Sequence, residues 1–228
     1  HHADDQVETV LFRLLRGSGA RGLSGIPQTR AVGAGHLIRP LLNQPKSRLQ
    51  AYAEAQQLVW IEDESNHQEQ FDRNYLRNSV IPTLAERWPD YVQGVMRSAE
   101  QSGQADQLAD SVARADLGLL DPRPERGGWS LDLNQFIALE PLRQKNLLRY
   151  WPEVQGMPPL GQTFIDEVMD SLLTAREDSD PKVVRADLQL CRYRQRLYLL
   201  RLSGRPKADL DFCLFWPADE SLVLPDGN

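Results

Sequence analysis

A long amphipathic stretch from about Tyr91 to Leu120, rich in Ala, Gln and Leu, dominates the sequence. Such a stretch predicts one extended helix, opened after Pro89 and weakest at Gly103. It ends at Asp121-Pro122-Arg123-Pro124-Glu125-Arg126-Gly127-Gly128, where proline and glycine concentrate. That run predicts a loop or a boundary. The fold expected around this helix is mainly α with some β.

The elements on either side follow from periodicity. Val7, Val10, Leu11, Leu14 and Leu15 fall on one helical stripe, and His1, Asp4, Asp5 and Glu8 on another. A helix over 1–16 is expected, stopped at Gly17, with a flexible Gly-rich loop after it. Residues 35–42 suit a short buried strand ending at Pro40. A helix is expected from Ser47, its cap, to Leu58, burying Leu49, Tyr52, Ala53 and Leu58. Another carries Phe71 to Val80, and Pro82 opens a further short one. Beyond the Pro/Gly run come a strand near 129–133 and helices over 140–150 and 163–175. A hairpin follows, turning near Gln195 within 183–202, and another break falls at Gly204-Arg205-Pro206. Trp60, Trp88 and Trp151 read as core or staple residues.

Composition narrows the function classes. With 41% hydrophobic and 25% charged residues the chain is of ordinary globular type, and 228 residues suit one or two domains. No apolar run approaches a membrane span. Two cysteines, Cys191 and Cys213, exclude a disulfide-dense scaffold and a four-cysteine zinc site. A net charge of −6 argues against holding nucleic acid by bulk charge alone.

Two runs carry chemistry. The first is His1-His2-Ala3-Asp4-Asp5-Gln6-Val7-Glu8-Thr9. Carboxylates at helical spacings of three and four can grip a cation or an ammonium from several sides. The competing readings are a solvated acidic helix start, which complements the dipole, and a divalent-metal site. Adjacent histidines point in different directions and do not match zinc-helix spacing, so no metal is assigned. The second run is Glu62-Asp63-Glu64-Ser65-Asn66 with Phe71-Asp72-Arg73-Asn74-Tyr75-Leu76-Arg77. Arg73 and Arg77, at i and i+4, share a helix face and suit phosphate or carboxylate. Surface ion pairing, such as Glu69 with Arg73, is the plainer alternative.

HHADDQVET, RLLRGSGARGLSGI, IRPLL, WIEDESN, FDRNYLR and VIPTLAERWP, in that order, resemble the tRNA(Ile)-lysidine synthetases of the PP-loop (N-type ATP pyrophosphatase) superfamily. The resemblance continues more weakly through AREDSDP, RYRQRLYLL and the terminal LPDG. It implies the C-terminal part of an α/β PP-loop domain over 1–90. A helical tRNA-recognition domain with a β hairpin would follow over 91–204, then a linker and the start of a C-terminal domain over 205–228. It also implies a cytoplasmic ligase. That enzyme uses ATP, with Mg2+, to adenylate the wobble cytidine of tRNA(Ile) with a CAU anticodon. It then joins L-lysine to the base and releases AMP.

The same resemblance assigns roles to residues. Asp5 and Glu8 would hold lysine and place its attacking amine, with His1, His2 and Asp4 on the same motif. Arg73 would stabilise phosphate charge or the activated base, with Asn74 and Arg77 in support. Asp63 and Asn66 would brace their loop. Among the basic residues Arg185, Arg192, Arg194, Arg196, Arg201, Arg205 and Lys207, the implied contacts to tRNA are Arg192, Arg194 and Arg196. The plainer reading is a hairpin's solvent face.

The family's SGGxDS phosphate loop is absent, and Arg16–Gly22 follows a helix instead of a strand. The expectation is therefore an internal piece of a longer enzyme, inactive and without ATP on its own. The alternatives are another PP-loop tRNA-modifying enzyme or a non-catalytic tRNA-binding module. Cys191 and Cys213 lie too far from the motifs to support a thiolase.

Overall fold

The computed structural model describes residues 1–60, 72–172 and 181–203. Asp63, Asn66, Phe71, Arg205, Lys207, Cys213 and the tail lie outside them. The chain forms two compact units, His1–Val112 and Ala113 onward. The first unit thus reaches beyond residue 90, into the long helix. Among the described residues no helix is long and apolar enough to cross a membrane.

The first unit opens with helix α1 (Ala3–Leu15), and the predicted stop at Gly17 holds, with φ +72°. Its first turn is closed reciprocally. The Asp5 N–H donates to His2 Nδ1 at 3.3 Å, and the His2 N–H donates to Asp5 Oδ2 at 2.9 Å. This is a capping box with histidine in the place of serine. Val7 and Val10 are buried as expected, but Leu14 and Leu15 are 54% and 74% exposed. Glu8, from the polar stripe, is buried instead.

The expected flexible loop after α1 contains a four-residue helix, α2 (Ala20–Leu23), and is tied down at several points. Arg21 donates to Asp106 at 2.9 Å and to both oxygens of Asp110. Arg13 donates to the carbonyls of Gly22 and Gly25. The Gln6 amide clasps Ile26 through both its N–H and its carbonyl, at 2.8 and 2.6 Å. Gly25 sits at φ +77°, where a Cβ would run into Gln6 Oε1. Gly25→Ala is therefore expected to cost about 1–3 kcal/mol, from backbone strain and a loosened clasp. A denaturant titration followed by circular dichroism checks this.

Strands β1 (Thr29–Val32) and β2 (Gly35–Ile38) pair antiparallel. The strand expected over 35–42 is shorter and exposed along its length, because among the described residues it pairs with β1 alone in a two-stranded ribbon. Helix α3 (Lys46–Ala55) starts after Pro45, and Ser47 is not its cap. Its first N–H, of Lys46, donates to Asp4 Oδ2 at 2.7 Å, so α1 caps α3. None of α3 is buried and Tyr52 is 64% exposed, contrary to the expected apolar side. Trp60 and Trp88 are likewise half exposed; only Trp151 is core.

Helix α4 (Asp72–Tyr75) runs into a π turn (Leu76–Val80) and then α5 (Ile81–Arg87), with Pro82 in its first turn. Helix α6 (Tyr91–Leu119) matches the predicted long helix.

In the second unit the Pro/Gly run becomes a hairpin, β3 (Arg123–Glu125) and β4 (Gly128–Asp132). At Gly128 any Cβ would strike the Leu199 carbonyl, which explains that glycine. Helices α7 (Leu133–Ala138), α8 (Pro141–Val154) and α9 (Gln162–Ser171) follow. Strands β5 (Lys182–Arg185), β6 (Leu188–Tyr193) and β7 (Arg196–Arg201) complete an antiparallel sheet ordered β3-β4-β7-β6-β5. The predicted hairpin is β6–β7. Its two turn residues, Arg194 and Gln195, both have positive φ, as a two-residue hairpin turn requires. The core joins Leu131, Leu190, Leu197 and Leu199 of the sheet to Phe136, Leu147, Trp151 and Phe164 of the helices. Fully buried Asp116 pairs with Arg143 beside it.

Candidate active site

The carboxylates of α1 have different neighbours. Asp4 caps α3 through Lys46. Asp5 accepts from the His2 N–H with Oδ2, and its Oδ1 stands 3.8 Å from Arg77 Nη2. Glu8 is only 5% exposed and is held by both arms of Arg77. Nε donates to Oε1 at 2.5 Å and Nη2 donates to Oε2 at 2.8 Å. This is the planar fork-to-carboxylate arrangement that arginine alone provides. The Glu8 hydrogen bond, and then the negative field of Glu8, Asp5 and Asp4, holds the Arg77 guanidinium above its ordinary pKa.

Arg73 meets α1 one turn further along. Its guanidinium carbon lies 5.3 Å from the Phe12 ring centroid, and that of Arg16 lies 4.5 Å from the same ring. Glu8 and Phe12 are i and i+4 on α1, as Arg73 and Arg77 are on their own segment. The two segments thus meet in matching steps, Arg77 on Glu8 and Arg73 on Phe12. Among the described residues no acidic side chain pairs with Arg73, whose exposed fork is placed to meet an anion. Asn74 is half-buried beside it, and His1 is exposed at the mouth of α1.

Sequence reasoning missed three contributors. Gln6 and Arg13 brace the loop after α1, and neither fits an apolar or a charged pattern. Tyr91 is the third. Burial first, and then the field of Asp4 and Glu8, pushes its hydroxyl above the usual pKa.

The basic hairpin residues sort by contact. Arg194 is exposed at the turn, its guanidinium 5.2 Å over the Tyr193 ring. Arg192 is half-buried in β6. Arg196 is committed to the sheet. It donates to Ser130 Oγ at 2.8 Å, to Asp121 Oδ2 at 3.0 Å and to the Asp121 carbonyl at 2.7 Å. Arg123 and Arg196 together hold the Asp121 carboxyl below its ordinary pKa.

Two carboxylates, Glu8 and Asp5, against one guanidinium make a net negative acceptor, suited to an ammonium. An exposed arginine on the adjoining turn suits an anion. The Gly-rich run Arg16–Gly22 links α1 to α2, tied down by Arg13 and Arg21, and is not a strand-to-helix loop that could cradle phosphates.

Residues 1–84 match the PP-loop domain model, and residues 131–198 match the TilS substrate binding domain model. The chain is 43% identical to the tRNA(Ile)-lysidine synthase of Pseudomonas putida, over 100% of this chain and 53% of that protein. It is 39% identical to the one of Serratia proteamaculans, over 99% and 50%. It is 40% identical to that of Alkalilimnicola ehrlichii, over 90% and 45%. The chain spans about half the length of the curated relatives it matches.

Proposed function

We propose that the chain belongs to the tRNA(Ile)-lysidine synthase family and that the protein forms lysidine on an isoleucine tRNA. The substrates are L-lysine, ATP with Mg2+, and a tRNA(Ile) with a CAU anticodon, and the enzyme works in the cytoplasm. Residues 1–90 supply the end of the PP-loop domain, 91–204 the tRNA-recognition part, and 205–228 lead into a further domain. ATP adenylates the wobble cytidine and pyrophosphate leaves; the lysine amine then bonds to the activated ring carbon, AMP leaves, and the amine gives up a proton.

The observation that carries this reading is the carboxylate group of α1 set against an arginine that lacks an acidic partner among the described residues. Asp5 and Glu8 receive the ammonium, and Asp4 and His2 hold the turn that presents them. As an amine must lose a proton before it attacks, an adjacent carboxylate also favours that loss. Arg73 faces the developing phosphate charge, with Asn74 beside it. Arg192, Arg194 and Arg196 lie at the hairpin end of the domain proposed to meet the tRNA; Arg194 has the freest reach to phosphate.

The test is lysine- and ATP-dependent modification of a tRNA(Ile) transcript by the full-length protein. No product would overturn the reading. Arg73→Ala is expected to slow AMP release about tenfold to a hundredfold, the worth of one charge-assisted hydrogen bond. Thermal unfolding should stay unchanged. Unaltered kinetics would reduce Arg73 to a surface cation.

A further inference from the structure

We infer that Arg77 is a positioning residue for amine capture, fixing the Glu8 carboxylate beside Asp5 so that the two form one prearranged acceptor. This inference rests on the functional reading above and assigns Arg77 a task different from that of Arg73.

The spacing of the two arginines suggests equivalent forks on one helix face. The contacts do not. Arg77 spends two donors on Glu8, at 2.5 and 2.8 Å, and stands 3.8 Å from Asp5. Arg73 reaches Phe12 and meets no described acidic side chain. A fork engaged in this way is poorly placed to follow a phosphate, whereas Arg73 remains available to one.

Glu8 needs such a partner. Its side chain is 7% exposed, and a buried carboxylate without compensation is costly. Arg77 compensates the charge and also fixes both oxygens in one plane. Asp5 is oriented independently, by the His2 N–H on Oδ2. Each carboxylate is thus aimed before substrate arrives, and each oxygen keeps a second lone pair for an incoming N–H. Because Arg77 brings one positive charge against two carboxylates, the pair still carries net negative charge for an ammonium. The hinge of this arrangement is the π turn Leu76–Val80, which contains Arg77. Such turns occur mostly as isolated departures from α-helix and often at functional positions.

The experiment measures steady-state kinetics of full-length wild type, Arg77→Gln and Arg77→Lys, varying lysine, ATP and tRNA in turn. The expected result for Arg77→Gln is a lysine KM raised about tenfold or more, with kcat at saturating lysine and the KM for ATP nearly constant. Arg77→Lys, a point charge without a fork, should fall between Gln and wild type. A merely structural role would not single out lysine. A fall in kcat with unchanged lysine KM, or a rise in the ATP KM instead, would overturn the inference. If Arg77→Gln does not fold, Arg77→Lys decides by the same comparison. Wild type without lysine-dependent turnover would overturn the functional reading itself, and this inference with it.

Discussion

Asp5→Asn is expected to raise the lysine requirement about 30-fold to 1,000-fold, or abolish turnover, while tRNA binding survives. The substitution is nearly isosteric. The amide oxygen it introduces can still accept from the His2 N–H, so the capping box and the start of α1 persist. What disappears is the charge on the oxygen that faces Arg77 and that is proposed to meet the lysine amine. Losing one partner of a partly buried charge pair costs about 2–4 kcal/mol, which corresponds to that range in affinity. The measurements are lysine KM, tRNA dissociation constant and thermal unfolding on the same full-length preparation. A collapse in tRNA binding with lysine KM intact would show that α1 meets the nucleic acid, and the amine-binding assignment would fall.

Trp151→Ala is expected to destabilise the second unit by about 3–5 kcal/mol, the usual cost of emptying a large aromatic site. The indole is fully buried and packs within the cluster formed by Phe136, Leu147, Phe164 and the sheet leucines. Among the described residues its Nε1–H has no hydrogen-bond partner. Trp151→Phe therefore makes a useful contrast. It keeps an aromatic ring and removes an unmet donor, so it should cost less than half as much. Urea titrations of both variants, followed by circular dichroism, test the pair. Equal losses would mean that ring volume does not govern the site, and the expectation would fall.

Legibility followed the range of the forces involved. The long helix α6, the stop at Gly17 and the β6–β7 hairpin are set by local periodicity and turn chemistry, and the sequence displays both. The failures are non-local. Leu14, Leu15, Tyr52 and Trp88 are apolar residues at helical spacings, yet nothing in the spacing says whether another element covers them. Asp4 capping α3, and Gln6 clasping Ile26, join residues about 40 and 20 positions apart. Such hydrogen bonds leave no local pattern. Strand β3 of the sheet was not visible because it is three residues long and contains proline. At the site, motif spacing identified α1 and the two arginines. It could not tell which arginine meets a carboxylate, since an α-helical count treats them alike.

The π turn has a consequence for chain length. A turn that closes from i to i+5 contains one residue beyond the α-helical count. Each residue advances an α-helix by about 100°. Excising one position between Leu76 and Val80 could let Asp72–Arg87 run as a single regular helix. Because the π turn takes up its extra residue in roughly the rotation of one α turn, the residues on either side would keep facing as they do. What the excision would change is the widened turn that carries Arg77, and with it the angle at which that guanidinium meets Glu8. In this segment the number of residues is as much a specification as their identity. Exposed Asn78 can be expected to tolerate a change of type far better than its deletion.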